Sequence, residues 1–297
     1  MDQYFLLGRS GLRGSRPALG TMNFGTGGFH AAYGKSEEEA RPILHRYLEA
    51  GGNFIDTADF CTAGESETML GDLIAEAKLR DPGAHHQVHL QHRPHGPERR
   101  RQRTFDDLTR AGKIRYAGLS DVPGWYAARA QTYADAHALE PLVPLQVPYS
   151  PIDRTVEAEH VPMGQNLGLG ITAWSPLGGG FLTGKYRRTA KGVAGEGRFS
   201  STPAPSRTEQ EWQLLEVLES VAGRLGVTMA QVALNRVATQ PGVASAIVGA
   251  STPQQLDADL AALDFELPGE LRTRLDEASA VTPGRCTRCS PRTTRTS

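Results

Sequence analysis

The chain has 297 residues, 39% hydrophobic and 22% charged, with a formal net charge of −1. That balance fits a soluble folded chain and offers no overall electrostatic attraction to nucleic acid or to an anionic membrane. No apolar run approaches the roughly 20 residues a bilayer span needs. The opening MDQYFLLGRSGLRGSR has no apolar core before a small-residue cleavage site, and three cysteines do not make a disulfide framework. A cytoplasmic location is therefore expected.

In chain order, residues 18–22 form a short apolar run ending in Asn23-Phe24-Gly25, as a buried strand meets a loop. Helical spacing starts at Ser36, which stands three residues before Glu39 in a capping-box pattern. Residues 53–58 read as a strand and 66–80 as a helix. Further on, 114–120, 142–147, 170–175 and 245–249 read as strands. Residues 125–138, 156–167, 208–237 and 253–263 read as helical. Apolar strands alternating with helices predict a parallel sheet covered by helices. About six strands are found, two short of an eightfold barrel, although the chain length suits a single one.

Residues 81–104 break the pattern. This stretch holds five of the nine histidines and an arginine-rich run, without a helical or strand period. Residues 189–205 are rich in Gly, Ser and Pro and read as a long loop, and 284–297 as a disordered tail.

The sequences GRSGLRGSRPALGTMNFG, EAGGNFIDTAD, GESETMLGDLI, TFDDLTRAGKIRYAGLSD, LQVPYS, AWSPLGGGFLTGKY and AIVGASTPQQL follow one another along the chain. Together they resemble the aldo-keto reductases over roughly residues 6–80 and 104–282, most closely bacterial members related to the potassium-channel β-subunit branch. The resemblance implies an α/β fold, a single (β/α)8 TIM-barrel domain over 1–297. It also implies NADPH as cofactor and a small-molecule carbonyl substrate, with no nucleic-acid or membrane partner; it does not fix the oligomeric state.

It places cofactor contacts on Thr21, Met22, Asp56, Ser120, Asp121, Gln146, Trp174, Ser175, Pro176, Leu177, Gly180, Lys185, Gly249, Ser251, Gln255 and Asp259. Ser120 and Gln146 would lie near the nicotinamide amide, and Trp174 would stack on the ring. Ser175, Pro176, Leu177 and Lys185 would follow the pyrophosphate, and Gly249, Ser251 and Gln255 the adenosine phosphate end. Ser251-Thr252-Pro253 also reads, on its own residues, as a helix cap with proline in the first turn, and free N–H groups at a helix start attract phosphate.

The family's reaction uses Asp, Tyr, Lys and His. Asp56 matches the Asp of D-T-A-x-x-Y, but Cys61 stands at the Tyr position. A free thiol titrates near 8.5 against about 10 for a phenol, so reach rather than acidity is the expected obstacle. Losing a general acid typically costs about 10²- to 10⁴-fold in rate. No segment resembles the I-x-T-K-F or L-L-H patterns that would carry the Lys and His. Strands three and four are therefore expected to be disrupted or missing, and residues 88–90 are read as too short to replace one. His89 and His92 follow no apolar strand and are not taken as the family His.

A one-base shift from Pro82, which codon degeneracy permits, turns the aberrant segment into R-V-L-T-T-K-F-T-F-N-T, similar to the family's third strand. The segment is read as a frameshift near Asp81, followed by a deletion of about fifty residues from the barrel that restores the frame at Thr104. A metal site built from His85, His86, His89 and Cys61, or from the lone Cys286-x-x-Cys289, is not adopted, because structural zinc needs four ligands. Nucleic-acid binding through Arg99–Arg103 lacks an aromatic platform. The expected function is NADPH-dependent reduction of aldehydes or ketones, impaired here. The alternatives are a non-catalytic NADPH-binding protein and a defective gene product. With two sheet edges left open, poor stability is expected.

Overall fold

The computed structural model describes residues 4–28, 32–77, 87–91, 98–189, 192–195, 197 and 206–281. Its centre is one parallel sheet. The strands are β3 (Pro17–Gly20), β4 (Phe54–Ala58), β5 (Gln87–Gln91), β6 (Ala117–Ser120), β7 (Leu142–Pro148), β8 (Gly170–Trp174) and β11 (Val243–Val248), in the spatial order β5-β4-β3-β11-β8-β7-β6. All six pairings are parallel. Every residue of β4 and β11 is buried, because such a sheet is covered on both faces.

The covering helices are α1 (Glu37–Glu49), α2 (Glu65–Glu76), α3 (Glu98–Arg110), α4 (Gly124–Ala136), α5 (His160–Leu167), α6 (Glu209–Leu225), α7 (Met229–Ala238), α8 (Pro253–Leu260) and α9 (Gly269–Ala278). The capping box at α1 forms as the sequence predicts: Glu39 N donates to Ser36 Oγ and Ser36 N to Glu39 Oε2. Leu44, Tyr47, Leu70 and Leu73 pack α1 and α2 onto Leu19 and Ile55 of the sheet. Ala127, Ala130 and Val161 do the same for α4 and α5 against Leu145 and Ile171. Each fully buried leucine or isoleucine contributes about 1.5–3 kcal/mol of transfer free energy.

An antiparallel hairpin, β1 (Tyr4–Leu6) and β2 (Arg13–Ser15), lies across the N-terminal end of the strands. Arg9 N donates to Gly168 O, Arg9 Nη2 to Asn166 O, and Ser15 N to Asn53 Oδ1. Gly8 has φ +58°, and a Cβ there would stand 2.4 Å from Gly168 O, so the close approach requires glycine.

Four expectations need correction. The aberrant segment is not wholly irregular, since β5 pairs with β4 over five residues and α3 begins at Glu98. Main-chain pairing needs little from a strand's side chains beyond alternation, and five residues suffice. A strand therefore stands at the third position after all, while among the described residues none stands at the fourth and β5 does not pair with β6. The region 208–237 is two helices, because Gly226 ends α6 in the left-handed conformation (φ +68°) and Thr228 caps α7. The segment read as a long loop holds a second hairpin, β9 (Tyr186–Thr189) and β10 (Gly192–Gly195). His85, His86, His92, the tail and the Cys286–Cys289 pair lie outside the described residues. Among the described residues no single helix is long and apolar enough to cross a membrane.

Candidate functional site

Because the strands are parallel, their C-terminal ends share one face, and the residues singled out in the sequence gather there. Thr21 and Met22 follow β3, and Cys61 follows β4. Ser120 and Asp121 close β6, Gln146 lies on β7, Trp174 ends β8, and Gly249 follows β11. This is the face on which barrel active sites sit. Four non-glycine residues with positive φ lie in the turns after these strands: Thr62 (47°) and Ala63 (59°), Asp121 (51°) and Ser175 (53°). Such strained backbone collects where a site must be held in one geometry.

The interior is held by side chains from opposite walls. Asp56 and Gln146 are both buried, and Gln146 Nε2 donates to Asp56 Oδ1 at 2.7 Å. Three strands separate β4 from β7 in the sheet, so this bond crosses the bore. Thr21, fully buried, donates through its N and Oγ1 to Asp56 O and meets Ser66 Oγ at 3.0 Å. Its hydroxyl is thus committed to joining β3 to β4 and α2. Asn23 Nδ2 donates to Ala250 O, tying the loop after β3 to the one after β11. Glu65 Oε2 accepts from Thr26 N and Gly27 N, latching the β3 loop onto the first turn of α2. Sequence reasoning did not single out Ser66, Asn23 or Glu65. Ser66 and Glu65 lie inside the GESETMLGDLI motif, which was the available signal.

Cys61 is buried, 4% exposed. Burial pushes its thiol up to about 11, with the charges of Asp56, Asp59 and Glu67 adding to the rise. The expectation that acidity is no obstacle does not hold: this thiol is no better an acid than a free phenol. Of the three described lysines, Lys35 pairs with Glu39, Lys113 lies in the turn after α3 and Lys185 lies over the Tyr186 ring; none lies on β5, the strand at the third position.

The residues that the resemblance assigns to the cofactor lie partly at the surface. Trp174 is 36% exposed, and its Nε1 donates to Asp121 Oδ1 at 2.8 Å, which fixes the indole. Pro176 is buried and Leu177 half-buried. Lys185 lies against Gly180 and Gly197, where a Cβ would approach its side chain to 3.1 and 2.7 Å. Desolvation lowers the pKa of that ammonium. A Cβ at Gly249 would meet nothing within 4 Å, so the backbone just after β11 faces open space. Thr252 alone caps α8, its Oγ1 accepting from Gln255 N, while Gln255 Oε1 accepts from Ser251 N one residue before the cap. Two of the N–H groups counted on for phosphate are therefore already satisfied. Asp259 is buried on α8, and burial pushes its carboxyl up to about 7.

These features define an incomplete α/β barrel with one partly exposed tryptophan, Trp174, at the C-terminal ends of its strands. The family model described as "Aldo/keto reductase family" matches residues 18–95 and 92–280, and the chain belongs to that family. Its relatives include the uncharacterized oxidoreductase YrpG of Bacillus subtilis, 30% identical over 93% of this chain and 95% of the relative. Protein tas of Escherichia coli is 28% identical over 94% and 98%. Norsolorinic acid reductase stcV of Emericella nidulans is 28% identical over 88% and 77%. The alignment with YrpG runs over 323 positions, more than the 297 residues of this chain, so it carries gaps on this side. The family match itself breaks into two pieces that meet at residues 92–95.

Proposed function

We propose that this chain binds NADPH along the C-terminal ends of its strands, from Trp174 to α8, and reduces aldehyde or ketone carbonyls, more slowly than a relative with an intact tetrad. The observation that carries the reading is Trp174, an indole held by Asp121 with a third of its surface open where a planar ring can stack. The open space at Gly249 and the desolvated Lys185 ammonium suit the phosphates. When bound, the dinucleotide supplies hydride; the chain's part is to hold it and to place a carbonyl near Asp56. Relatives named norsolorinic acid reductase and aryl-alcohol dehydrogenase support an aromatic carbonyl as the substrate class.

NADPH titration should quench intrinsic fluorescence, and Trp174→Phe should remove most of the quench while Trp125 and Trp212 remain. Loss of the quench in the wild type would remove the basis of the reading. A second reading, NADPH binding without turnover, is favoured by the buried, neutral Cys61 thiol at the tyrosine position. Quench with no consumption of NADPH in the presence of an aromatic aldehyde would select it.

A further inference from the structure

The loop after β8 runs Ser175-Pro176-Leu177-Gly178-Gly179-Gly180. Ser175 (φ 53°), Gly178 (59°), Gly179 (69°) and Gly180 (89°) are all left-handed, which a run of glycines permits. The glycine amides are committed inside the loop: Gly178 N donates to Ser175 O, Gly179 N to Ser175 Oγ and Gly180 N to Leu177 O. Glycines also have many other conformations open to them, so the shape of such a loop needs support from outside.

Arg207, two residues before α6, reaches it. Its Nη2 donates to Gly178 O at 3.3 Å, its Nη1 donates to Glu211 Oε1 at 2.8 Å, and the guanidinium lies 4.6 Å from the centroid of the Phe181 ring. Glu211 is itself fixed by the capping box of α6, its Oε2 accepting from Thr208 N and Thr208 Oγ1. Phe181 is fully buried and meets Trp212 edge to face at 5.0 Å. A planar guanidinium can serve a carboxylate, a carbonyl and a ring face at once; an ammonium cannot. The Arg207 side chain is 10% exposed, and its charge is spent on Glu211 rather than held out to a ligand.

We propose that Arg207 is a positioning residue: through Gly178 O it fixes residues 175–180 in the shape against which the pyrophosphate of the dinucleotide is bound. The effect on the cofactor rests on the function proposed above; the anchoring of the loop does not. Without Arg207 the glycines gain other conformations, and the cost of ordering them falls on binding. The signature is weaker cofactor binding with turnover of the bound complex preserved.

Arg207→Met keeps the stem and removes the fork, while Arg207→Lys keeps the charge as well. The anchoring is read without cofactor, by hydrogen exchange at the amides of Gly179, Gly180 and Leu182, which donate to Ser175 and Leu177. These should exchange about tenfold faster in Arg207→Met and less so in Arg207→Lys, with the α7 amides unchanged. Wild-type exchange in the loop overturns the anchoring, and so does faster exchange confined to the first turn of α6, which is what a loosened helix start alone would give. If Arg207→Met does not melt cooperatively, Arg207→Lys is judged on the same amides. The Kd for NADPH, from the fluorescence quench, should rise about tenfold in Arg207→Met. The kcat for an aromatic aldehyde at saturating NADPH should not fall. An unchanged Kd, or a fall in that kcat, overturns the cofactor role. If the wild type does not bind NADPH, that role falls with the proposed function, and the exchange still decides the anchoring.

Discussion

Burial raises the titration of two side chains, Cys61 and Asp259, and each makes a separate statement about pH. Cys61, raised to about 11, has almost no thiolate at neutral pH. Its peptide should resist iodoacetamide at pH 7.5 in the folded protein and react once the chain is unfolded, as read by mass spectrometry. Asp259 is a carboxyl whose folded value, about 7, lies above the unfolded value near 3.9. The folded state holds its proton more tightly, so its contribution is fully present below about 3.9 and is lost as pH rises through about 7. Asp259→Asn should therefore raise the melting temperature at pH 8 and leave it unchanged at pH 4. Neither shift was legible in the sequence. The motifs located both residues, but the cause is the packing of chain segments distant in sequence. The reach argument at Cys61 came from residue type alone, which is why it missed acidity.

At the scale of elements, the strands and helices that carry strong alternation were readable. Residues 53–58, 142–147 and 170–175 appear as β4, β7 and β8 within a residue at either end. The break between α6 and α7 was missed because apolar residues continue through it. The stop is a backbone matter, with Gly226 left-handed and Thr228 Oγ1 accepting from Gln231 N as the cap of α7. A Cβ at Gly226 would meet nothing within 4 Å, so Gly226→Ala isolates the backbone strain. It should cost about 1 kcal/mol in denaturant unfolding.

A second device joins elements at the outer rim, again invisible to local pattern. Arg236 of α7, 3% exposed, donates to Asp276 Oδ1 of α9 at 2.6 Å and to Tyr149 Oη after β7 at 3.2 Å. Arg154 donates to Glu157 Oε2 at 2.8 Å and to Ser279 Oγ. Burial holds the Tyr149 phenol neutral, while the Arg154 and Arg236 guanidiniums hold Glu157 below the usual carboxylate value. Arg236→Leu leaves two carboxylates with a lost partner and should destabilise by about 3 kcal/mol or more, measured as a fall in the denaturant midpoint.

For the whole molecule, the family was legible from ordered motifs, and the incompleteness of the barrel from the segment that interrupts them. What the sequence could not show is that five residues of that segment would pair as β5 and leave one opening, between β5 and β6, rather than a two-strand gap. We propose that the cause is a frameshift and deletion. The gapped alignment with YrpG and the split family match support it, and coding DNA whose codons 82–92 cannot yield the shifted reading would sink it. Open sheet edges pair with other chains, so sedimentation should show self-association that grows with concentration.

The N-terminal hairpin carries a practical consequence of its position. It lies across the opposite end of the strands from Trp174 and Gly249, and Gly11 at its turn is exposed with nothing within 4 Å of a Cβ. A cysteine handle at Gly11 on a cysteine-free background would anchor the molecule to a sensor surface by its base. Every anchored copy would then present the Trp174 end of its strands to the flowing solution, so ligand capture could be weighed chain by chain without a tether shading that face.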